Sequence, residues 1–175
     1  MSKYRYGVKA LKVSDIDPET GLPLAGTTKE IQEDIYRDSF DLVEEEGTTT
    51  DHYSEMNPDP EITFEETGKT MANLQLMDTS VETVALFKGG EVVTDAGSGT
   101  KTWSKPASQV NIEKYIELEH QDGYKTIIPR AKVTGVLNMQ IRRNGIGLLN
   151  LKFTAQRPKV AGLNTIDIVE PGAGA

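Results

Sequence analysis

Apolar and polar residues alternate with period two through most of the chain, and this pattern predicts strands. Tyr4, Tyr6, Val8 and Ala10 share one face and Lys3, Arg5, Gly7 and Lys9 the other, with Leu11 and Val13 extending the run, so 4–13 reads as a first strand. Pro18, Gly21, Pro23 and Gly26 punctuate 15–28, a long loop or arm. Short strands follow over 30–36 and 40–45. Ile62 and Phe64 alternate with Glu61, Thr63 and Glu65, and Thr67-Gly68-Lys69 turns the chain into 70–77, a predicted hairpin. Val110, Ile112, Ile116 and Leu118 share a face interrupted by Lys114, opposite Asn111, Glu113, Tyr115, Glu117 and Glu119. This predicts a half-buried strand, which Gln121-Asp122-Gly123 turns back into 124–128.

The clearest pattern comes near the end of the chain. Ala131, Val133, Leu137, Met139 and Ile141 lie in phase, and so do Leu149, Leu151, Phe153 and Ala155, with polar residues between them. Asn144-Gly145 invites a two-residue turn, but that register sets Ile141 opposite Leu148 and Met139 opposite polar Asn150. Because a one-residue slip sends every side chain to the wrong face, the pattern selects an odd loop, Arg143-Asn144-Gly145, with Gly145 as a left-handed bulge residue. That register pairs Met139 with Leu149 and Leu137 with Leu151.

One segment departs from period two. Asp78 or Thr79 can cap a helix, with Glu82 completing a capping box from Thr79, ahead of Val81, Val84, Ala85 and Leu86. Gly89-Gly90 supplies the stop, so one helix is expected over about 78–88, its apolar face on a sheet. Residues 95–100 read as a flexible loop tip. Residues 47–60 are polar and acidic and end in Asn57-Pro58-Asp59-Pro60; a loop this long inside a compact domain is functional or disordered. Gly47, Thr48, Thr49, Asp51, His52, Tyr53, Glu55, Asn57 and Asp59 are therefore the candidate contact residues. The expected architecture is mainly β, a β-sandwich or barrel with one flanking helix and long loops. A single domain over 1–170 and a disordered tail at 171–175 are expected.

With 37% hydrophobic residues, the 175-residue chain can bury one core, and 6% aromatic content favours an aliphatic β interior. Cysteine is absent, which excludes disulfides, a zinc knuckle and a thiol nucleophile. No apolar run reaches membrane-spanning length and none follows Met1, so synthesis in a cytoplasm and no membrane partner are expected.

The net charge of −8 argues against bulk attraction to nucleic acid. Its distribution says more than its sum. Between Glu30 and Glu66 there are fourteen acids and one base, Arg37, whereas from Gly123 to Ile166 there is no acid. Arg130, Lys132, Arg142, Arg143, Lys152 and Arg157 of the second stretch are the candidate basic contacts. Two readings follow: the stretches neutralise each other across one sheet, or an acidic surface of one copy meets a basic surface of the next.

Catalytic and ligand motifs fail on their spacing. Gly68-Lys69-Thr70 ends like a phosphate loop, but Thr63 stands where the first Gly is required. Asp15, Asp17 and Glu19 superficially match a calcium loop, yet Thr20 replaces its Gly and Gly26 its bidentate Glu. Asp51, His52 and Glu55 read as solvated surface, and His52 and His120 belong to no triad. Neither a catalytic residue nor a cofactor is assigned.

With the early Gly7-Val8-Lys9-Ala10 strand, the acidic 47–60 loop, the Phe64 and Leu74 hairpin, the 78–90 helix and the long closing strands, the chain resembles phage major tail proteins, the tail tube subunits. The resemblance covers most of the chain and rests on element order. It implies a non-enzymatic subunit of the virion tail, six copies per ring, rings stacked around a conduit for passing DNA, with the 47–60 loop reaching a neighbouring ring. The implied partners are the chain itself and tail initiator, terminator and tape-measure proteins. An acidic lumen would let DNA slide without sticking. A contractile injection tube and a monomeric β-sandwich binding module are the alternatives.

Overall fold

The computed structural model describes residues 5–140 and 142–172. Tyr4, Ile141 and residues 173–175, which carry part of the first-strand, closing-hairpin and tail expectations, lie outside them. The fold is mainly β with one helix. In chain order come β1 (Val8–Ser14), β2 (Lys29–Glu30), β3 (Asp41–Glu44), β4 (Thr48–Tyr53), β5 (Pro60–Glu66), β6 (Thr70–Leu76), α1 (Val81–Lys88), β7 (Glu91–Thr94), β8 (Lys101–Ser104), β9 (Ile112–His120), β10 (Lys125–Met139), β11 (Gly147–Ala155) and β12 (Asp167–Val169).

Eight strands form one antiparallel sheet in the order β2-β1-β9-β10-β11-β6-β3, with β12 on the first part of β10. Segment 29–36 joins both sides of this sheet. Lys29 and Glu30 pair with Val13 and Lys12, and the Ile31 N–H donates to Leu11 O. Further on, the Tyr36 N–H donates to Gln75 O and the Met77 N–H to Asp34 O. The sheet therefore curls until β1 and β6 share a bridging segment, which leaves fewer open edges and wraps one face around a core.

That face is the aliphatic set foreseen from the alternation: Leu11 and Val13 meet Leu118 and Ile116, and Leu149, Leu151 and Phe153 meet Leu76, Leu74 and Ala72. Phe87 of α1 closes it edge-on against Phe153, ring centroids 6.2 Å apart. Lys114 lies on the core face as the pattern required, but its ammonium reaches Asp15 at 2.5 Å, so the stem is buried while the charge is paired.

Several expectations are corrected. Residues 30–36 are not a strand beyond Glu30: Gln32–Asp34 form a 3-10 turn that buries Ile31 and lets the chain cross from β1 to β6. The first strand begins at Val8, because Gly7 has a positive φ of 64°. The helix cap is Ser80, whose hydroxyl accepts the Thr83 N–H, rather than Asp78 or Thr79. Glu82 pairs with Lys101 instead of closing a box. The 124–128 and 131–142 strands are one strand, β10, running through a bulge at Pro129, where a residue without an N–H costs no ladder bond.

In the closing hairpin the phase was right and the offset wrong. Leu137 pairs with Leu149, Met139 with Gly147 and Gly135 with Leu151, two residues away from the expected register. Between Met139 and Gly147 the Gly145 N–H donates to Arg142 O at 3.1 Å. Gly145 has no left-handed φ. A Cβ there would sit 2.7 Å from Gln140 O, so close approach of the backbone is what requires the glycine.

Candidate functional site

The acidic 47–60 segment is not a structureless loop. Thr48–Tyr53 pairs with Pro60–Glu66 as a two-stranded antiparallel arm bonded to no other sheet, so β5 hairpins with β4 and not with 70–77. The 67–69 segment leads instead from the arm into β6, which pairs with β3 and β11. At the root, the Glu45 N–H donates to Lys69 O, and a Cβ on Gly68 would overlap the Glu45 carbonyl, so the two legs can cross this closely only at glycine.

Register sorts the arm into two faces. Thr50 lies opposite Phe64 and His52 opposite Ile62, with the His52 ring edge-on to Phe64 at 5.6 Å. Thr49, Asp51, Thr63 and Glu65 share the other face, where the Thr63 hydroxyl donates to Asp51 at 2.7 Å. Gly47, Thr48, Thr49, Asp51, His52, Tyr53, Glu55, Asn57 and Asp59 are thus brought together on one projecting element, every one exposed. The sequence reading missed that Ile62 and Phe64, 55% and 58% exposed, belong to this site. Their alternation was visible, but alternation alone names a face and not what covers it.

The basic residues divide. Arg130 is spent inside the fold: its Nε and Nη2 bind the two oxygens of Glu113, and Lys159 adds a 3.2 Å contact to the same carboxylate. The Arg130 hydrogen bonds hold the Glu113 carboxyl down to about 2. Lys125 pairs likewise with Glu117. Lys132, Arg142, Arg143, Lys152 and Arg157 have no ion pair among the described residues. The paired bases of the 123–166 stretch, Lys125, Arg130 and Lys159, take their acids from β9 and not from 30–66. Beyond Glu30 with Lys12 and Asp38 with Arg37, the acids of that stretch stay unpaired among the described residues. They stand on the Gln32–Asp34 turn, on β3 and along the arm and its root.

Lys152 and Lys132 project from the outer face of β11 and β10 with Thr134, Asn138 and Asn150, whereas Arg142 and Arg143 occupy the loop at the far end. A shallow groove of about 580 Å³ runs along this face past Val136, Asn150, Lys152, Asn73 and Gln75, and Asp41 and the Arg37–Asp38 pair also line it. Asn150 Oδ1 is shielded from solvent and accepts no hydrogen bond.

The residues weighed for metal or catalysis are committed elsewhere. Asp17 accepts the Glu19 and Thr20 N–H groups in its own turn, and Asp15 holds Lys114. Asp51 and His52 are neighbours on a strand and point to opposite faces. His120 meets Thr126 at 3.0 Å, where burial depresses its proton affinity. Among the described residues no group of three His, Asp or Glu is placed to hold a metal, and no helix is long and apolar enough to cross a membrane. A second cleft, of about 290 Å³, lies between Ile16, Pro18, Pro129 and Val160, walled by the Glu113 ion cluster.

Compared with known proteins, the chain matches no family model and no curated protein.

Proposed function

We propose that the chain is the structural subunit of a phage tail tube, a non-enzymatic protein that joins copies of itself into stacked hexameric rings around a DNA conduit in the virion. One observation carries this reading: the acids of the arm and Lys132 and Lys152 of β10 and β11 have no ion pair among the described residues and stand on separate elements of the fold. An element like the arm also calls for a partner, because a two-stranded hairpin with an exposed apolar face is marginal alone in water. The DNA is non-specific cargo, and the initiator, terminator and tape-measure proteins of the tail are the further partners. A tube of a contractile injection system shares the same physics.

The 290 Å³ cleft favours a second reading, a monomeric binding module. Light scattering separates the two. The tube reading predicts a mass far above 19.2 kDa at high concentration that falls as salt screens the charged contacts, and the module reading a salt-independent monomer. A salt-dependent DNA mobility shift of the monomer would point instead to nucleic-acid binding.

A further inference from the structure

We infer that the apolar face of the β4–β5 arm docks on the outer face of β10–β11 of a second copy, along the groove past Val136 and Asn150. The inference rests on the self-assembly reading and specifies its contact. The two surfaces match in order of chemistry. On the arm, Ile62 and Phe64 form an apolar stripe with Glu66 at the root end and Glu55 and Asp59 at the turn end. On β10–β11, Val136 and half-buried Leu148 form an apolar patch with Lys152 at one end and Arg142 and Arg143 at the other.

Asp59 to Glu66 spans about 23 Å of extended chain, and Lys152 to Gly147 about 16 Å before the loop that carries the arginines. Acid then meets base at both ends while the apolar residues cover one another in the middle. The contact is heterologous, arm of one copy to strand face of the next, so it propagates instead of closing at a dimer. The arm does not fill its own copy's groove: its root is pinned by the Glu45 to Lys69 bond, and both its strands are exposed along their length.

The test is a charge exchange followed by sedimentation. One variant carries Glu55→Lys, Asp59→Lys and Glu66→Lys; the other carries Arg142→Glu, Arg143→Glu and Lys152→Glu. Circular dichroism confirms that each is folded, and all six positions lie outside the core. The expected result is loss of assembly in each variant alone and its return on mixing, since every arm then finds a face of opposite sign. If either variant assembles as the wild type does, or if two folded variants stay dispersed when mixed, the docking is overturned while the tube reading stands. A wild-type chain that never assembles overturns both.

Discussion

Glu113 of β9 receives both hydrogen bonds of the Arg130 guanidinium from β10, at 2.9 and 2.5 Å, with its side chain 16% exposed. The pair takes Arg130 out of the surface charge and ties the long strand to its neighbour beside the Pro129 bulge. It also sets a pH dependence. The Glu113 carboxyl titrates at about 2 when folded and at 4.5 ordinarily. Its contribution is therefore complete above about pH 4.5 and is lost as pH falls through about 2. After solvent screening it amounts to about 2 kcal/mol. Thermal melts of Glu113→Gln should lie below wild type at pH 7 and converge with it toward pH 2; parallel curves would refute the assignment.

Phe153 is fully buried between the sheet and Phe87. Phe153→Ala should cost about 3–5 kcal/mol by urea unfolding, since the aromatic contact and the filled volume go together. A loss under about 1 kcal/mol would mean the core is not centred there.

Gly68 is where the arm leaves the body. Gly68→Ala should force the two legs apart at Glu45, and amide exchange through β4 and β5 should accelerate about tenfold or more while β9 and β10 stay protected. Unchanged exchange in the arm would contradict the crossing geometry.

Ile62→Ser with Phe64→Ser removes apolar side chains that are more than half exposed. The melting behaviour should shift by no more than about 0.5 kcal/mol, as for ordinary surface changes. Assembly, read by sedimentation, should be lost. A large loss of monomer stability would show that the stripe serves the fold itself.

Much of this fold was legible because alternation fixes which residues share a face. Leu149, Leu151 and Phe153 were placed in the core, and the phase of the closing hairpin, the helix and its Gly89 stop followed from local rules. What failed depended on partners distant in sequence. Ile62 and Phe64 were paired with the strand that follows them because a short turn lay between, whereas the polar Thr48–Tyr53 run, without an apolar stripe of its own, gave no sign of being their partner. Segment 30–36 showed enough β character to pass for a strand, and only its bridging of β1 and β6 through Ile31 and Tyr36 explains its turn. The same limit applied to the site. The acidic and basic stretches were plain in the sequence, but the withdrawal of Arg130 by Glu113 requires the cross-strand geometry.

Negative-stain microscopy of the concentrated wild-type protein at low salt addresses self-assembly directly. Hollow rings or tubes built from repeated copies are the expected image. Fields without particles, together with sedimentation at 19.2 kDa across the whole concentration range, would contradict the account.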